Sequence, residues 1–330
     1  SDNVKSFHKW KKFLQIITFL TSIGGFTQDP IHTQFFMIPE TLNSGFTGAK
    51  EQTRAGIIHR TQWPGLNFSI NTQFAFVDSW LEDKSSGIGI SVLNHKETTT
   101  RYNFTQVNLN YAYKFQISRN WNIRPSISIG YGSKNFGFQN LVLEDQINIF
   151  SGIINVNSID PINLNQTIDF FDFSTSVLFY SENSWVGFSI KHLNKPNISM
   201  EFDGQENLEM FMSLHGSINI PFREFRSDDK LSAIFNAMKQ GPYNRFDLGL
   251  KYEMDTFSFG FLGATNPIKS DTNSHFLTSV NAFLGMKWNK FNFGYSYDFN
   301  VTDIGRTGGV YELSVTYDFG EVCDFGCPDY

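Results

Sequence analysis

From about residue 50 onward, apolar and polar residues alternate one for one in run after run. The last run sets Tyr311, Leu313, Val315, Tyr317 and Phe319 against Glu312, Ser314, Thr316 and Asp318. A strict period of two places these on opposite faces of one β-strand. The preceding run sets Phe291, Phe293, Tyr295, Tyr297, Phe299 and Val301 against Asn292, Gly294, Ser296, Asp298, Asn300 and Thr302. Runs of this kind, broken by clusters of Gly, Asn, Asp, Ser and Pro, predict about fourteen strands. They fall near 53–63, 66–77, 86–96, 101–117, 121–135, 167–180, 184–194, 206–221, 230–239, 243–254, 256–265, 275–288, 290–302 and 308–319. Most reach the ~9 residues a tilted strand needs to cross hydrocarbon. The outward faces are placed at Phe68, Ile70, Phe74 and Phe76; at Val107, Leu109, Tyr111, Tyr113 and Phe115; at Phe171, Phe173, Val177 and Phe179; and at Phe246, Leu248, Leu250 and Tyr252. Charge, as at Asp172, Asp247 and Lys251, then points inward. A soluble sandwich would alternate as well. So many long strands with Phe-rich faces and no amphipathic helix favour an all-β fold, a transmembrane antiparallel β-barrel with lipid outside and a hydrophilic lumen.

Composition strengthens this picture. The 330 residues hold 36 Phe, 12 Tyr and 6 Trp, yet the mean hydropathy is negative. A helical membrane protein needs ~20 consecutive apolar residues per span, whereas a barrel makes every second residue polar. The one long apolar stretch, 13–26, follows Lys5, Lys9, Lys11 and Lys12 and leads into small residues. It reads as part of a cleaved signal peptide over 1–28. The organisation expected is therefore a signal peptide (1–28), a periplasmic or lumenal arm (29–50), an outer-membrane barrel (51–320) and a Cys-containing tail (321–330). Cys323 and Cys327 both fall in that tail, as one short oxidised loop or as two free thiols. A formal charge of −6 argues against nucleic acid, which calls for a basic face.

No catalytic set emerges. His8, His32, His59, His95, His192, His215 and His275 are scattered one to a segment without metal-ligand spacing, and no G-x-S-x-G nucleophile motif occurs. The expectation is a protein that is not an enzyme and holds no cofactor or metal. Gly130 and Gly132 read as lumen-side positions that relieve crowding. The longest non-alternating stretch, 136–166, reads as a surface loop with one helical turn, long enough to suggest a task of its own. Arg60-Thr61-Gln62-Trp63-Pro64-Gly65 ends the first strand in a turn with an interfacial aromatic; Arg60 and Gln62 are also binding candidates.

These residues carry a resemblance. Gln28-Asp29-Pro30 with Gln34-Phe35-Phe36-Met37, then Arg60, Gln62, Trp63, Pro64 and Gly65, then Gly87-Ile88-Gly89-Ile90 leading to Asn94, Tyr111-Ala112-Tyr113, Asp160-Pro161, and Gly187-Phe188-Ser189 with His192-Leu193-Asn194-Lys195-Pro196-Asn197 resemble, in order and spacing, the PorP/SprF family associated with the type IX secretion system. The chain departs at Asn43-Ser44-Gly45-Phe46-Thr47-Gly48, where the family usually shows Asn-Pro, and without the proline a less rigid arm is expected. The resemblance implies an outer-membrane barrel of a Gram-negative bacterium that binds and retains a type IX-secreted, adhesin-like surface protein. Arg60, Gln62, Trp63, Pro64, Gly65, His192, Asn194 and Pro196 are its signature positions. Two alternatives stay open: a core subunit of the secretion and gliding apparatus, and a channel or small-molecule transporter. Partners expected are the lipid bilayer, the cargo and other secretion subunits. The cargo-facing elements would be 136–166, 203–207 and 269–274. The terminal aromatics Tyr317 and Phe319 resemble the insertion signal of outer-membrane barrels.

Overall fold

The structure, a computed structural model, describes residues 29–66, 69–98, 101–135, 147–148, 153–154, 167–199, 204–221, 229–267, 277–301, 307–320, 327–328 and 330. The alternating runs form β1 (Arg54–Gln62), β2 (Ile70–Leu81), β3 (Ser86–Glu97), β4 (Asn103–Tyr113), β5 (Asn122–Asn135), β6 (Thr167–Tyr180), β7 (Ser184–Lys191), β8 (Phe211–Asn219), β9 (Lys230–Gln240), β10 (Tyr243–Glu253), β11 (Phe257–Thr265), β12 (Leu277–Trp288), β13 (Phe291–Asn300) and β14 (Val310–Asp318). β4 resumes briefly as Phe115–Gln116. Each strand pairs antiparallel with its sequence neighbours, and β1 pairs β14 from Arg54↔Asp318 to Gln62↔Val310. The sheet thus closes on itself as a fourteen-stranded barrel without an edge, as hydrocarbon requires of a spanning sheet. The signal peptide expected at 1–28 lies outside the described residues, as do Phe68 and most of 136–166, 201–203 and 268–276. Within 136–166 the described residues pair Ile147–Asn148 with Ile153–Ile154, and the helical turn expected in that stretch lies outside the described residues.

At one end the strands are joined by short turns, 82–85, 181–183, 254–256 and 289–290 among them; at the other lie the long connections 136–166 and 192–210. Exposed aromatics mark both ends: Phe115, Trp121, Phe257, Trp288 and Phe319 at the short-turn end, Tyr243 and Phe299 at the long-loop end. These are the two girdles of a membrane barrel.

The outward faces of β4, β6, β10, β13 and β14 are those expected from sequence, with Leu109, Phe171, Leu248, Tyr295 and Leu313 exposed and Asp172, Asp247, Asp298 and Glu312 buried within. β2 is the exception. Phe74 and Phe76 point into the lumen, 5% and 7% exposed, and pack with Ile38 and Ile58, while Val77 faces out. The parity of Asp78 carried this signal: a carboxylate is excluded from lipid, and Asp78 shares a face with Phe74 and Phe76. Gly56, opposite Phe76, clears room for that ring. The strand also runs to Leu81 rather than 77, because the chain reverses only at Glu82–Lys84, where Ser85 takes a left-handed conformation (φ 46). Val77→Arg should therefore cost ~2–4 kcal/mol near the midplane, measured by urea titration in lipid vesicles. A silent Val77→Arg would return the two phenylalanines to the lipid face.

The lumen wall is rich in buried polar groups, as expected, but part of it is apolar and occupied. Phe35, Phe36, Leu42 and Phe46 of the arm meet inward Leu178, Tyr180, Trp185, Phe211, Ile234, Met238, Leu262 and Phe283 in one apolar cluster. Of the two placements left open for 29–50, the lumenal one is observed.

Candidate functional site

The candidate site is the seat of this arm. Pro30, Pro39 and the glycines at 45 and 48 deny the segment any long helix or strand. It folds instead as a turn in which Gln34 accepts from the N–H groups of Met37 and Ile38, followed by two 3₁₀ turns, Pro39–Thr41 and Ser44–Phe46. Such a chain leaves many backbone groups unpaired, and buried ones must find partners. The barrel wall supplies them. Glu312 accepts from Thr33 N–H at 2.8 Å and Gln34 N–H at 2.9 Å, and Asp78 from Gly48 N–H at 2.9 Å. Lys191 donates to the Thr41 carbonyl at 3.0 Å, and Arg124 to the carbonyls of Gly45 and Thr47. Where the family usually shows Asn-Pro, Asn43 caps the second turn, accepting from Gly45 N–H at 2.7 Å and donating to the Val177 carbonyl at 3.1 Å.

Two wall glycines exist for this contact. A Cβ at Gly87 would stand 1.9 Å from the Thr47 carbonyl oxygen, and one at Gly294 would stand 2.4 Å from Gln34 Oε1. Gly130 and Gly132 also face inward, where a Cβ would strike Asn108 and Phe170.

The charged anchors lie at both ends. Near the long-loop end, Arg60 Nη1 donates to Glu312 Oε1 at 2.5 Å and lies 3.3 Å from Thr33 Oγ1 and 3.6 Å from Asp298. One turn of arm earlier, Asp29 meets His192 Nε2 at 2.8 Å, whose Nδ1 lies 2.9 Å from Asp172; Gln240 accepts from Asp29 N–H at 2.8 Å. Near the short-turn end, Arg54 binds Glu40 at 2.5 Å and the Met37 carbonyl at 3.3 Å. There the Tyr330 ring packs on Phe46 at 4.9 Å, between the cations of Lys50 and Arg54. The tail is thus part of the seat. Cys327 is disulfide-bonded; Cys323, the other cysteine of the sequence, lies outside the described residues.

Burial opposes charge on both Asp29 and His192. Their mutual attraction outweighs it, helped on His192 by Asp172 and on Asp29 by Lys191 and Gln240. His192 is pushed up to about 9, and the Asp29 carboxyl is held well below its usual range. The sign follows by linkage. The raised His192 contributes stability that is complete below its unfolded value of 6.5 and lost as pH rises through about 9. The depressed Asp29 contributes stability above 3.8 that is lost only in strong acid. A nitroxide label carried by Ile31→Cys should accordingly be more mobile at pH 10 than at pH 6, and His192→Gln should remove that pH dependence. A pH-independent wild type would exclude His192 as an anchor. By contrast, burial lowers His32 to about 3, and both of its ring nitrogens lack hydrogen-bond partners. It lines a cavity of ≈ 60 Å³ beside the arm, roomy enough for a few bridging waters.

Signature residues fall into three groups. Arg60 and His192 grip the same stretch of arm. Gln62 pairs with Ile70 and Val310 at the end of β1. Trp63, left-handed at φ 59, donates its N–H to Gly309 at 3.0 Å, and Gly65 donates to Thr307 at 3.0 Å, with Pro64 exposed between them. Asn194 and Pro196 shape the loop after β7. Tyr317 faces outward on β14 with the Phe319 ring 4.7 Å away, edge-on. The residues that sequence reasoning missed are Glu312, Asp298, Asp172, Asp78, Arg54 and Arg124. Their signal was charge on a membrane strand, which demands a partner; the partner, an aperiodic segment, was not visible. Among the described residues, no three His, Cys, Asp or Glu side chains are grouped to hold a metal.

In comparisons with known proteins, the family described as type IX secretion system membrane protein PorP/SprF matches residues 25–317. No curated protein matches the sequence. Among solved structures, the toluene transporter TodX of P. putida is similar at 9% identity and a TM-score of 0.48, covering 85% of this chain and 93% of that one. The CymD monoaromatic hydrocarbon channel is similar at 12% identity and a TM-score of 0.46, covering 88% and 94%. These likenesses are of fold alone.

Proposed function

We propose that this chain, which belongs to the PorP/SprF family of type IX secretion system membrane proteins and lies in the outer membrane of a Gram-negative bacterium, is a sealed, non-enzymatic barrel that binds a type IX-secreted surface protein and retains it on the cell. The observation that supports this reading is the occupied lumen. Phe35, Phe36, Ile38 and Phe46 are at most 1% exposed inside the barrel, so the wall serves as a rigid scaffold rather than a conduit. Rigid scaffolds present function on loops, and outer-membrane barrels turn their longer connections outward. That places the connections 136–166 and 192–210 on the cell surface, where a secreted partner arrives. The same sealing speaks against the channel alternative. Deleting the protein should release the cargo into the medium, or destabilise it, while an unrelated type IX substrate is exported normally. The measurement compares cell-bound and released forms of both substrates. Retention of both inside the cell would favour the core-subunit reading, and no change in either would remove the retention reading.

A further inference from the structure

One sector of the outer wall differs from the rest. In β1, β2 and β3 no outward position among the described residues holds Phe, Tyr or Trp, in a chain with 36 Phe. Elsewhere the wall is studded with rings, as at Tyr111 on β4, Phe171 on β6, and Tyr295 and Phe299 on β13. Such rings seat a membrane protein at the lipid interface. Polarity sets the same sector apart. One cross-strand row runs from Tyr295 through Leu313, His59, Gln73 and Asn94 to Thr105. Residues paired in a row share a face, and Leu313 is outward, 58% exposed. On the lipid side, then, the row is apolar as far as β14 and polar from β1 onward. The next row repeats the change, from Tyr297 and Tyr311 to Thr61, Asn71 and Lys96. Toward the short-turn end, Ile57, Ala75, Val77 and Ile90 make a small, aliphatic surface. His59 Nε2 lies 3.1 Å from Thr61 Oγ1, Thr61 donates to Asn71 Oδ1 at 3.0 Å, and Asn94 donates to Asn103 at 2.9 Å and to Thr105 at 2.8 Å. These bonds fix the polar side chains along the wall. Gln73, exposed at the centre, has no hydrogen-bond partner among the described residues.

We propose that this sector is the contact face for a second copy of the chain, joined side by side in the plane of the membrane. Two copies inserted in the same direction are related by a two-fold axis along the membrane normal, so each offers the other the same patch. This patch is complementary to itself. His, Thr, Asn and Gln side chains both donate and accept hydrogen bonds, and such side chains join protein surfaces within membranes. Only Lys96, at the long-loop margin, carries a fixed charge among the outward residues of the sector, so no like charges oppose one another at the axis. An anionic lipid headgroup would call for a cluster of cations instead. Ala75 and the aliphatic Val77 and Ile90, with no ring projecting among them, let two walls approach closely. The pair would present its two sets of long connections next to each other on one side of the membrane.

Gln73→Cys tests the axis directly. In oxidised outer membranes it should link two copies of the full chain into a dimer-sized band, whereas Leu248→Cys, also exposed but on β10, should not. Purified in detergent, the parent should sediment as a dimer. Gln73→Leu with Asn94→Leu gives the sector side chains that lipid tolerates and should weaken the association roughly tenfold or more, since each lost hydrogen bond counts twice in a two-fold pair. The urea midpoint of that variant in vesicles should be no lower than the parent's, which separates lost association from lost folding. A cysteine at 73 that links only to a different protein would give the face to another subunit and overturn the proposal. So would a monomeric parent, whether the face then holds lipopolysaccharide that the double substitution displaces or holds nothing. Dimers undiminished by the double substitution would place the contact elsewhere and overturn it equally.

Discussion

The barrel lacking residues 29–50 should conduct ions steadily in planar lipid bilayers where the full chain stays closed. No strand takes a ladder partner from the arm, so its removal leaves the closed sheet intact and takes away only what fills it. Burying an apolar side chain of this size stabilises by ~1.5–3 kcal/mol. Phe35, Phe36, Ile38 and Phe46 together therefore hold the arm by something on the order of 10 kcal/mol, an upper figure because the detached arm would itself be partly collapsed. Spontaneous escape is correspondingly rare, and the full chain should show no background conductance. Gly87→Val provides a milder version. Its side chain would collide with the Thr47 carbonyl, dislodging the lower arm while the anchors at Asp29 and Thr33 hold, so intermittent openings are expected. If the barrel without 29–50 remained as closed as the parent, the seal would reside in the wall and the arm would be a passenger.

Glu312→Ala should destabilise the barrel by ~3–5 kcal/mol, the effect of breaking a buried ion pair by removing one partner. Glu312 is wholly buried and serves several donors at once: Arg60, Thr33 N–H, Gln34 N–H and the Ser296 hydroxyl. Its loss takes from Arg60 its nearest carboxylate, leaving Asp298 at 3.6 Å, and strands two amide groups inside the lumen, and an unsatisfied buried donor costs about 1–3 kcal/mol. Replacing both charges, as in Arg60→Met with Glu312→Leu, removes the cation left with one distant carboxylate and should recover part of the loss. Urea unfolding midpoints in vesicles, read for the parent and the single and double variants, measure this. Equal destabilisation in the single and double variants would show that shape rather than charge is at stake.

The alternation of residues determined the strands, their number and nearly every outward face. A lipid-facing position is a local demand, met or failed by each residue whatever its partner, so Leu109, Leu248 and Leu313 declare themselves without knowledge of the fold. The turn at Trp63-Pro64-Gly65 was legible for the same reason. The sequence could not show what the inward faces meet. Arg60 and Glu312 are 252 residues apart, and only closure of β1 on β14 brings them to one side of the arm. The arm has no period to read, since Pro30, Pro39 and Gly45 leave it neither helical nor extended, and its place inside the barrel emerges from wall side chains far apart in sequence converging on it. The misread face of β2 has the same origin. Phenylalanines at 74 and 76 look like lipid contacts until Ile38 occupies the lumen and gives them an apolar neighbour. Periodicity reports a side chain's solvent, and here the lumen's solvent is the protein's own N-terminal segment, placed by tertiary structure alone.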